Sequence, residues 1–294
     1  MQKDPKELPV IEHIEELRKR LIVCAVFFAI ALFAGFYFAE PIIKYIQYDA
    51  EPFIKYFQPD HGQMNSEESQ GLTLNAFKVT DPLTVYLEVA FFVALILTSP
   101  VILYQLWAFI APGLYEAERK ATLKYIPYAF ILFLAGVLFG YFILFPNVMN
   151  FMMGLSERLG IQQTIGINEY FGFLFKLVIP FGLLFQLPVI TLFLSRLGIL
   201  NPVWMVKFRK YSYFALFVIA VLISPPDLVS YILMSIPLFV LYEISIAIAK
   251  IGYKKYEKAE EQRMKEEREA AVNHQVEAAL AEQRRQMEQI NQQN

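Results

Sequence analysis

The chain has 294 residues, of which 56% are hydrophobic and only 18% are charged, and its formal net charge is −2. A soluble domain of this length needs more surface charge, so the composition indicates a membrane protein, and the near-neutral balance argues against a nucleic-acid partner. One cysteine, three widely separated histidines and no glycine followed by lysine leave no internal disulfide, no metal site and no phosphate-binding loop, so we expect no cofactor and no enzymatic activity.

Residues 1–20 predict a short amphipathic helix at the membrane surface. Its apolar residues recur at helical spacing and include Val10, Ile14 and Leu17. An uncharged apolar run at 21–39 has about the ~20 residues that a spanning helix needs. It lacks a small-x-small cleavage site, so we interpret it as a retained first span and not as a signal peptide.

Further apolar runs predict an all-α polytopic membrane protein with six transmembrane helices, of which the last two are short. The spans cover about residues 21–39, 82–111, 124–146, 169–194, 211–224 and 228–249. The fifth run reaches only ~21 Å, against a hydrocarbon core of ~30 Å, so we expect a hairpin that thins the bilayer locally. Gly136 and Gly140 form a small-xxx-small pair that allows close helix approach, although such pairs are also common without a packing role.

Basic residues near the span ends predict the orientation. One side of the membrane carries the lysine and arginine residues within 3–20, 119–124, 196–210 and 250–258. The other side has only Lys44, Lys55, Lys78 and Arg158. This asymmetry places both termini in the cytoplasm. The tail at 251–294 is too polar for a packed core, so we expect a solvated helix or disorder, with heptad pairing less favoured.

Acidic residues at the predicted cytoplasmic face have two interpretations. Glu15 with Lys19, and Glu16 with Arg20, are spaced for helix-surface ion pairs worth ~0.3 to 0.5 kcal/mol each. Glu118 is explained equally well as an acid at the start of the third span. Because the chain returns both acidic segments to one face, the second interpretation is that the carboxylates bind guanidinium groups of a ligand.

Few other polar groups lie within the predicted spans. Glu88 and Lys176 each lie about 10 Å inside the outer end of a span, so we predict an intramembrane ion pair; the alternative is that each reaches water separately. Asp227 at the hairpin tip is expected to cap the sixth helix. Glu243 is expected to cap or to pair with nearby basic residues.

Five motifs occur along the chain in a fixed order: HIEELRKRL, SPVILYQLWAFIAPGLYEAERK, FGYFILFP, PFGLLFQLP and SPPDLVSYILMSIPLFVLYE. Together they resemble the TatC family, the multi-span receptor subunit of the twin-arginine protein translocase. The resemblance covers about residues 8–250, and several motifs are long enough to make chance a poor explanation.

The resemblance implies a receptor in the cell membrane that binds twin-arginine signal peptides of folded cargo at the cytoplasmic face. It further implies recruitment of small single-span subunits of the TatA and TatB type, self-association, and export driven by the proton gradient. The implied signal-peptide site comprises Glu16, Arg18, Phe109, Pro112 and Glu118. For Asp227 the family motif leaves open a role in translocation.

Gln186 departs from the family pattern, because many relatives carry Glu at this position. The resemblance associates the position with polar contact to a partner helix inside the bilayer. An amide still forms a hydrogen bond there, worth ~0.6 to 2 kcal/mol, but it cannot titrate.

Two other classes of protein compete with a translocation receptor. A secondary transporter of small solutes is expected to show internal repeats and midplane charges, and no convincing repeat is visible in the sequence. A passive membrane scaffold is the third class, for which the acidic residues would have no ligand.

Overall fold

A computed structural model describes residues 10–48, 74–110, 123–161 and 164–293 of the chain. Within these ranges the extended elements of secondary structure are all helices. The elements are α1 (Val10–Tyr48), α2 (Asp81–Ile110), α3 (Ile126–Phe139), a π-helical turn (Gly140–Leu144), α4 (Phe145–Arg158), α5 (Ile167–Leu184), α6 (Leu187–Arg196), α7 (Pro202–Lys207), α8 (Arg209–Ile223) and α9 (Leu228–Gln293). The described ranges contain no strand, and a single parallel bridge joins Asn75 to Gly166. The predicted all-α class is confirmed.

Five stretches of the described chain are long and apolar enough to cross a membrane: Ile14–Gln47, Asp81–Phe109, Ile126–Arg158, Ile167–Arg196 and Leu228–Ala281. α8 coincides with the predicted short fifth span and has only 15 residues. At 1.5 Å per residue it is about 22 Å long, below the hydrocarbon thickness. The structure therefore supports five spans by length and composition, and a sixth span stays a prediction.

The first helix differs from its prediction. The sequence separates a surface helix, a span and a following cap, whereas α1 continues for 39 residues from Val10 to Tyr48 with Pro41 inside it. No glycine or proline interrupts the chain between the surface segment and the span, so the helix has no reason to end there. Beyond the span, Lys44 donates to Glu40 at 2.6 Å, an i,i+4 contact that favours continued helix.

The third predicted span also extends further than expected. α3, the π-helical turn and α4 follow one another without a break, so helix continues beyond Pro146 to Arg158. Pro146 cannot donate a backbone hydrogen bond. The wider π-helical turn ends at Leu144, two residues before this proline. The side-chain amide of Asn147 donates to the carbonyl of Ile143 at 2.5 Å and supplies an additional donor at this irregular point.

α5 lies at the centre of the core and contacts α2, α3 and the π-helical turn. Its fully buried side chains include Phe171, Leu174, Leu177 and Phe181. Aromatic rings join it to its neighbours, with centroids 4.9 Å apart for Phe92 and Phe175 and 5.0 Å apart for Phe145 and Tyr170. Helix α5 is therefore the element against which α2, α3 and the π-helical turn pack, whereas α1 packs on α2 and α9 packs on α6.

The close approach predicted for the glycine pair in the third span is confirmed. A Cβ on Gly136 would lie 2.8 Å from the carbonyl oxygen of Phe181, and one on Gly140 would lie 3.1 Å from the Cα of Val178. Only glycine permits α3 and the π-helical turn to approach the backbone of α5 so closely.

α1 packs along α2 through a second close approach. A Cβ on Gly35 would overlap the carbonyl oxygen of Ala90. One residue further on, the carbonyl of Phe36 accepts a hydrogen bond of 2.6 Å from the Tyr86 hydroxyl, and the two rings stack with centroids 5.9 Å apart. These contacts fix how the two helices lie against each other.

We expect Gly35→Ala to lower the stability of the protein because the added methyl group forces α1 away from α2. Overpacking of this kind costs typically ~1 to 3 kcal/mol, and thermal unfolding of the detergent-purified protein measures it. Gly172→Ala is the matched control, because no atom lies within 4 Å of a Cβ at that position. Equal unfolding temperatures for the two variants would contradict the close approach.

Candidate functional site

A polar contact joins the first turns of α1 to the last turns of α2. Arg20 donates from Nε to Glu16 Oε1 at 3.1 Å, and its Nη2 donates to the same oxygen. Its third contact crosses to the neighbouring helix, where Nη1 donates to Gln105 Oε1 at 3.2 Å. One guanidinium group therefore holds a carboxylate of α1 and an amide of α2 together; we call these three residues the arginine junction.

Helical geometry explains why the junction forms. Residues four apart lie on the same face of a helix, so Glu16 and Arg20 meet without any change of backbone. This ion pair was predicted from the sequence and is confirmed. Glu15 and Lys19 have the same spacing, but both are exposed and no ion pair joins them.

The junction is accessible from outside the protein. The Arg20 and Glu16 side chains retain 23% and 26% of their exposure, so both groups are mostly shielded and yet open to a ligand. On α2 the rings of Tyr104 and Trp107 lie beside Gln105 in sequence, with centroids 5.9 Å apart. The junction is therefore shielded but not closed off, and the helix that carries Gln105 also carries an aromatic pair.

The structure describes three of the five residues in the predicted signal-peptide site. Glu16 lies in the junction, Arg18 is exposed on α1, and Phe109 is half-buried in the last turn of α2, one turn beyond Gln105. Pro112 and Glu118 lie outside the described residues. The structure therefore brings the acidic segment of α1 to the end of α2 and leaves the meeting of Glu16 with Glu118 as a prediction.

Gln105 is a site residue that the sequence analysis missed. It is a polar residue inside the apolar stretch PVILYQLWAF, where an amide requires a hydrogen-bond partner. That isolated amide was the available signal, because intramembrane polar groups commonly mark functional contacts.

The predicted ion pair between Glu88 and Lys176 is not present. Lys176 is exposed, and Glu88 Oε2 is buried without a hydrogen-bond partner among the described residues. The reason is the orientation of α5: Phe175 is the residue that meets Phe92 of α2, one turn from Glu88. The next position along a helix points about 100° away, so Lys176 faces elsewhere.

Gln186 lies at the break between α5 and α6 and is only 8% exposed. Its Nε2 donates to the carbonyl of Ala129 on α3 at 3.0 Å. The amide thus ties the break in the fourth predicted span to the third. Its contact with a partner helix stays a prediction.

The last hairpin is held by polar contacts at both ends. At the tip, Asp227 Oδ1 accepts a 2.6 Å hydrogen bond from the backbone N–H of Ser230, which confirms the predicted helix cap. At the other end, Glu243 of α9 binds Arg209 Nη2 at 2.6 Å and accepts from the Tyr213 hydroxyl at 2.5 Å. The predicted pairing of Glu243 with a basic residue is also confirmed, and it fastens α8 to α9.

These features define a polytopic α-helical membrane protein with a polar junction, built around the guanidinium group of Arg20, near the ends of two helices. A family model described as Sec-independent protein translocase protein (TatC) matches residues 12–237. The chain belongs to the TatC family, as its motifs indicated. It is therefore a subunit of the Sec-independent protein translocase, a protein-transport component of the membrane and not an enzyme.

Individual relatives agree with this membership. The chain is 53% identical over 253 residues to the Sec-independent protein translocase protein TatCy of Bacillus subtilis (strain 168), which covers 86% of this chain and 93% of that protein. It is 49% identical over 263 residues to the TatC protein of Halalkalibacterium halodurans, covering 90% and 97% respectively. A crystal structure of the twin arginine translocase receptor TatC matches with a TM-score of 0.68 at 35% identity and covers 82% of this chain and 99% of that one.

The sequence raised two other classes of protein, a transporter of small solutes and a passive scaffold. Membership of a translocase family takes the place of both. The small-solute transporter was weighed on internal repeats and midplane charges, and the passive scaffold on whether the acidic residues have a ligand. No group of three or more His, Cys, Asp or Glu side chains suited to a metal ion occurs in the part of the chain that the structure describes.

We expect Glu88→Ala and Lys176→Ala to act independently. Since the two groups make no ion pair, the loss of stability in the double variant should equal the sum of the single losses within ~0.5 kcal/mol. Thermal or chemical unfolding of the three variants in detergent measures this coupling. A larger interaction energy would show that the two charges meet in the folded protein.

Proposed function

We propose that this chain is the receptor subunit of the twin-arginine translocase and binds twin-arginine signal peptides of folded precursors at the cytoplasmic membrane face. The observation that carries the proposal is the arginine junction. Glu16 already accepts two N–H groups from one guanidinium in a partly shielded position, which is the chemistry that recognition of an arginine ligand requires.

The second arginine of the ligand is assigned to Glu118. This residue lies eight positions beyond Ile110, where α2 ends, and the junction holds that end of α2 beside Glu16. Arg18, Phe109 and Pro112 complete the proposed site. Two carboxylates at the membrane surface would each take one guanidinium group in a planar, bidentate contact that lysine cannot reproduce.

The topology is proposed as six spans with both termini in the cytoplasm. α8 is the proposed fifth span; although short, it is fastened to α9 through Glu243 and Arg209. The basic residues at the predicted inner span ends support the orientation. A relative at 35% identity carries the name of twin arginine translocase receptor, which supports the receptor role.

Partner recruitment is assigned to an apolar groove of about 450 Å³ between the π-helical turn and α9. Its lining includes Phe139, Ile143, Phe185, Leu233 and Val240. Gln186 follows Phe185 in sequence but is buried and lies outside the lining, so its contact with a partner helix is proposed from the family pattern alone. We propose that small single-span subunits of the TatA or TatB type bind here, that the receptor self-associates, and that the proton gradient drives export.

Glu16→Gln and Glu118→Gln test the receptor function directly. Each removes one charge-assisted contact, worth ~1.5 to 3 kcal/mol, so each should weaken binding of a twin-arginine signal peptide at least tenfold. Fluorescence anisotropy of a labelled peptide with the purified, lipid-reconstituted protein gives the dissociation constant.

Glu15→Gln is the control for this experiment, because Glu15 is exposed, has no ion pair among the described residues and carries the same charge one position away. It should change the dissociation constant by less than twofold. Unchanged binding in both Glu16→Gln and Glu118→Gln, with the proteins folded, would remove the proposed site.

A further inference from the structure

We propose that Arg20 is an internal competitor of the signal peptide: it occupies Glu16 in the unliganded receptor and is displaced when an arginine of the ligand binds. This inference rests on the proposed function, since it concerns the same carboxylate. It assigns a role in specificity to Arg20 and to Gln105, whose amide accepts the other end of the guanidinium.

The first step of the argument is the number of contacts that the carboxylate offers. Arg20 donates two hydrogen bonds to Glu16 Oε1, one from Nε and one from Nη2. Both of these bonds end on Oε1, so while Arg20 remains an incoming guanidinium can reach only Oε2 and cannot form the planar contact that uses both carboxylate oxygens. Two cations held within a few ångströms of each other also repel.

The second step is that the internal contact is weak enough to be exchanged. Glu16 and Arg20 are one helical turn apart and keep about a quarter of their exposure. Ion pairs of this kind on helix surfaces contribute little to stability. Competition from Arg20 therefore lowers the affinity for a ligand by a small factor, roughly two- to fivefold, and does not block binding.

The third step is that a displaced Arg20 has a defined acceptor. Gln105 Oε1 lies 3.2 Å from Nη1 on the neighbouring helix, so the guanidinium can release Glu16 and keep its contact with α2. Exchange then requires a side-chain rotation and no change of helix packing. Displacement of Arg20 lowers the affinity of every ligand that uses Glu16 by the same factor, so the competitor raises the intrinsic affinity that a cationic peptide needs before it occupies the site.

Arg20→Gln tests the competitor, and Lys19→Gln is its matched control. Both remove one positive charge from adjacent positions, but Lys19 is exposed and lies outside the junction. Anisotropy titrations of the full-length receptor in nanodiscs should show that Arg20→Gln lowers the dissociation constant of a twin-arginine peptide about two- to fivefold. Lys19→Gln should change it by less than twofold. Binding of a twin-lysine peptide should also rise in Arg20→Gln, because the threshold is lost.

Two further variants keep the test decisive. Arg20→Lys retains the charge without the planar fork and should give an intermediate affinity, so the inference stays testable if Arg20→Gln fails to fold. In a Glu16→Gln background, Arg20→Gln should have no effect, since there is no carboxylate to compete for.

Unchanged or weaker binding by Arg20→Gln, with Glu16→Gln still defective, would overturn the inference and make Arg20 a positioning residue. An equal gain from Lys19→Gln would also overturn it, since net charge would then be the cause. Failure of the proposed function appears separately, as normal binding by Glu16→Gln, and would overturn both.

Discussion

A lipid bilayer supplies no hydrogen-bond partners, so each polar group within it requires a partner in the protein, and this constraint determines where the polar contacts of the chain lie. Arg20, Gln186 and Glu243 each join two helices near an end or a break. Elsewhere the helices meet mainly through apolar side chains, aromatic rings and glycines, with further hydrogen bonds such as that from Tyr86 to Phe36. Many of the polar contacts therefore fix the relation of one helix to another.

The arginine junction is the contact on which the proposed function depends most. α1 and α2 are aligned by the glycine at Gly35 and the hydrogen bond from Tyr86, so the position of Glu16 beside Gln105 depends on packing deeper in the membrane. The packing at Gly35 and Tyr86 sets how α1 lies along α2. That alignment thus determines whether Glu16 and the end of α2 can contact the same proposed ligand. Stability of the helix pair and geometry of the proposed site are consequently linked.

Much of this architecture follows from the sequence. Apolar run length gives the positions of the long helices, and local contacts such as Glu16 with Arg20 or the cap at Asp227 follow from helical spacing alone. The small-xxx-small pair at Gly136 correctly indicates a close helix approach. Each of these features depends on residues that are near one another in the chain or on composition.

Features that depend on helix rotation were not predictable in the same way. Depth in the membrane suggested that Glu88 meets Lys176, but depth does not specify which face of α5 is turned to α2, and Phe175 occupies that face. The partner of Arg20 on α2, Gln105, was missed for the same reason. The continuation of helix through Pro41 and Pro146 likewise depends on neighbouring contacts that a pattern of apolar residues does not contain.

The central claim is that the adjoining ends of α1 and α2 form the receptor site, and site-specific photocrosslinking in membranes tests it most directly. A photoreactive residue at Phe109 should crosslink to a precursor with a twin-arginine signal and not to its twin-lysine counterpart. The control is the exposed Leu83, on the same helix and about 39 Å away at 1.5 Å per residue, which should give no crosslink. Equal crosslinking from both positions, or crosslinking from Phe109 that ignores the arginine pair, would contradict the account.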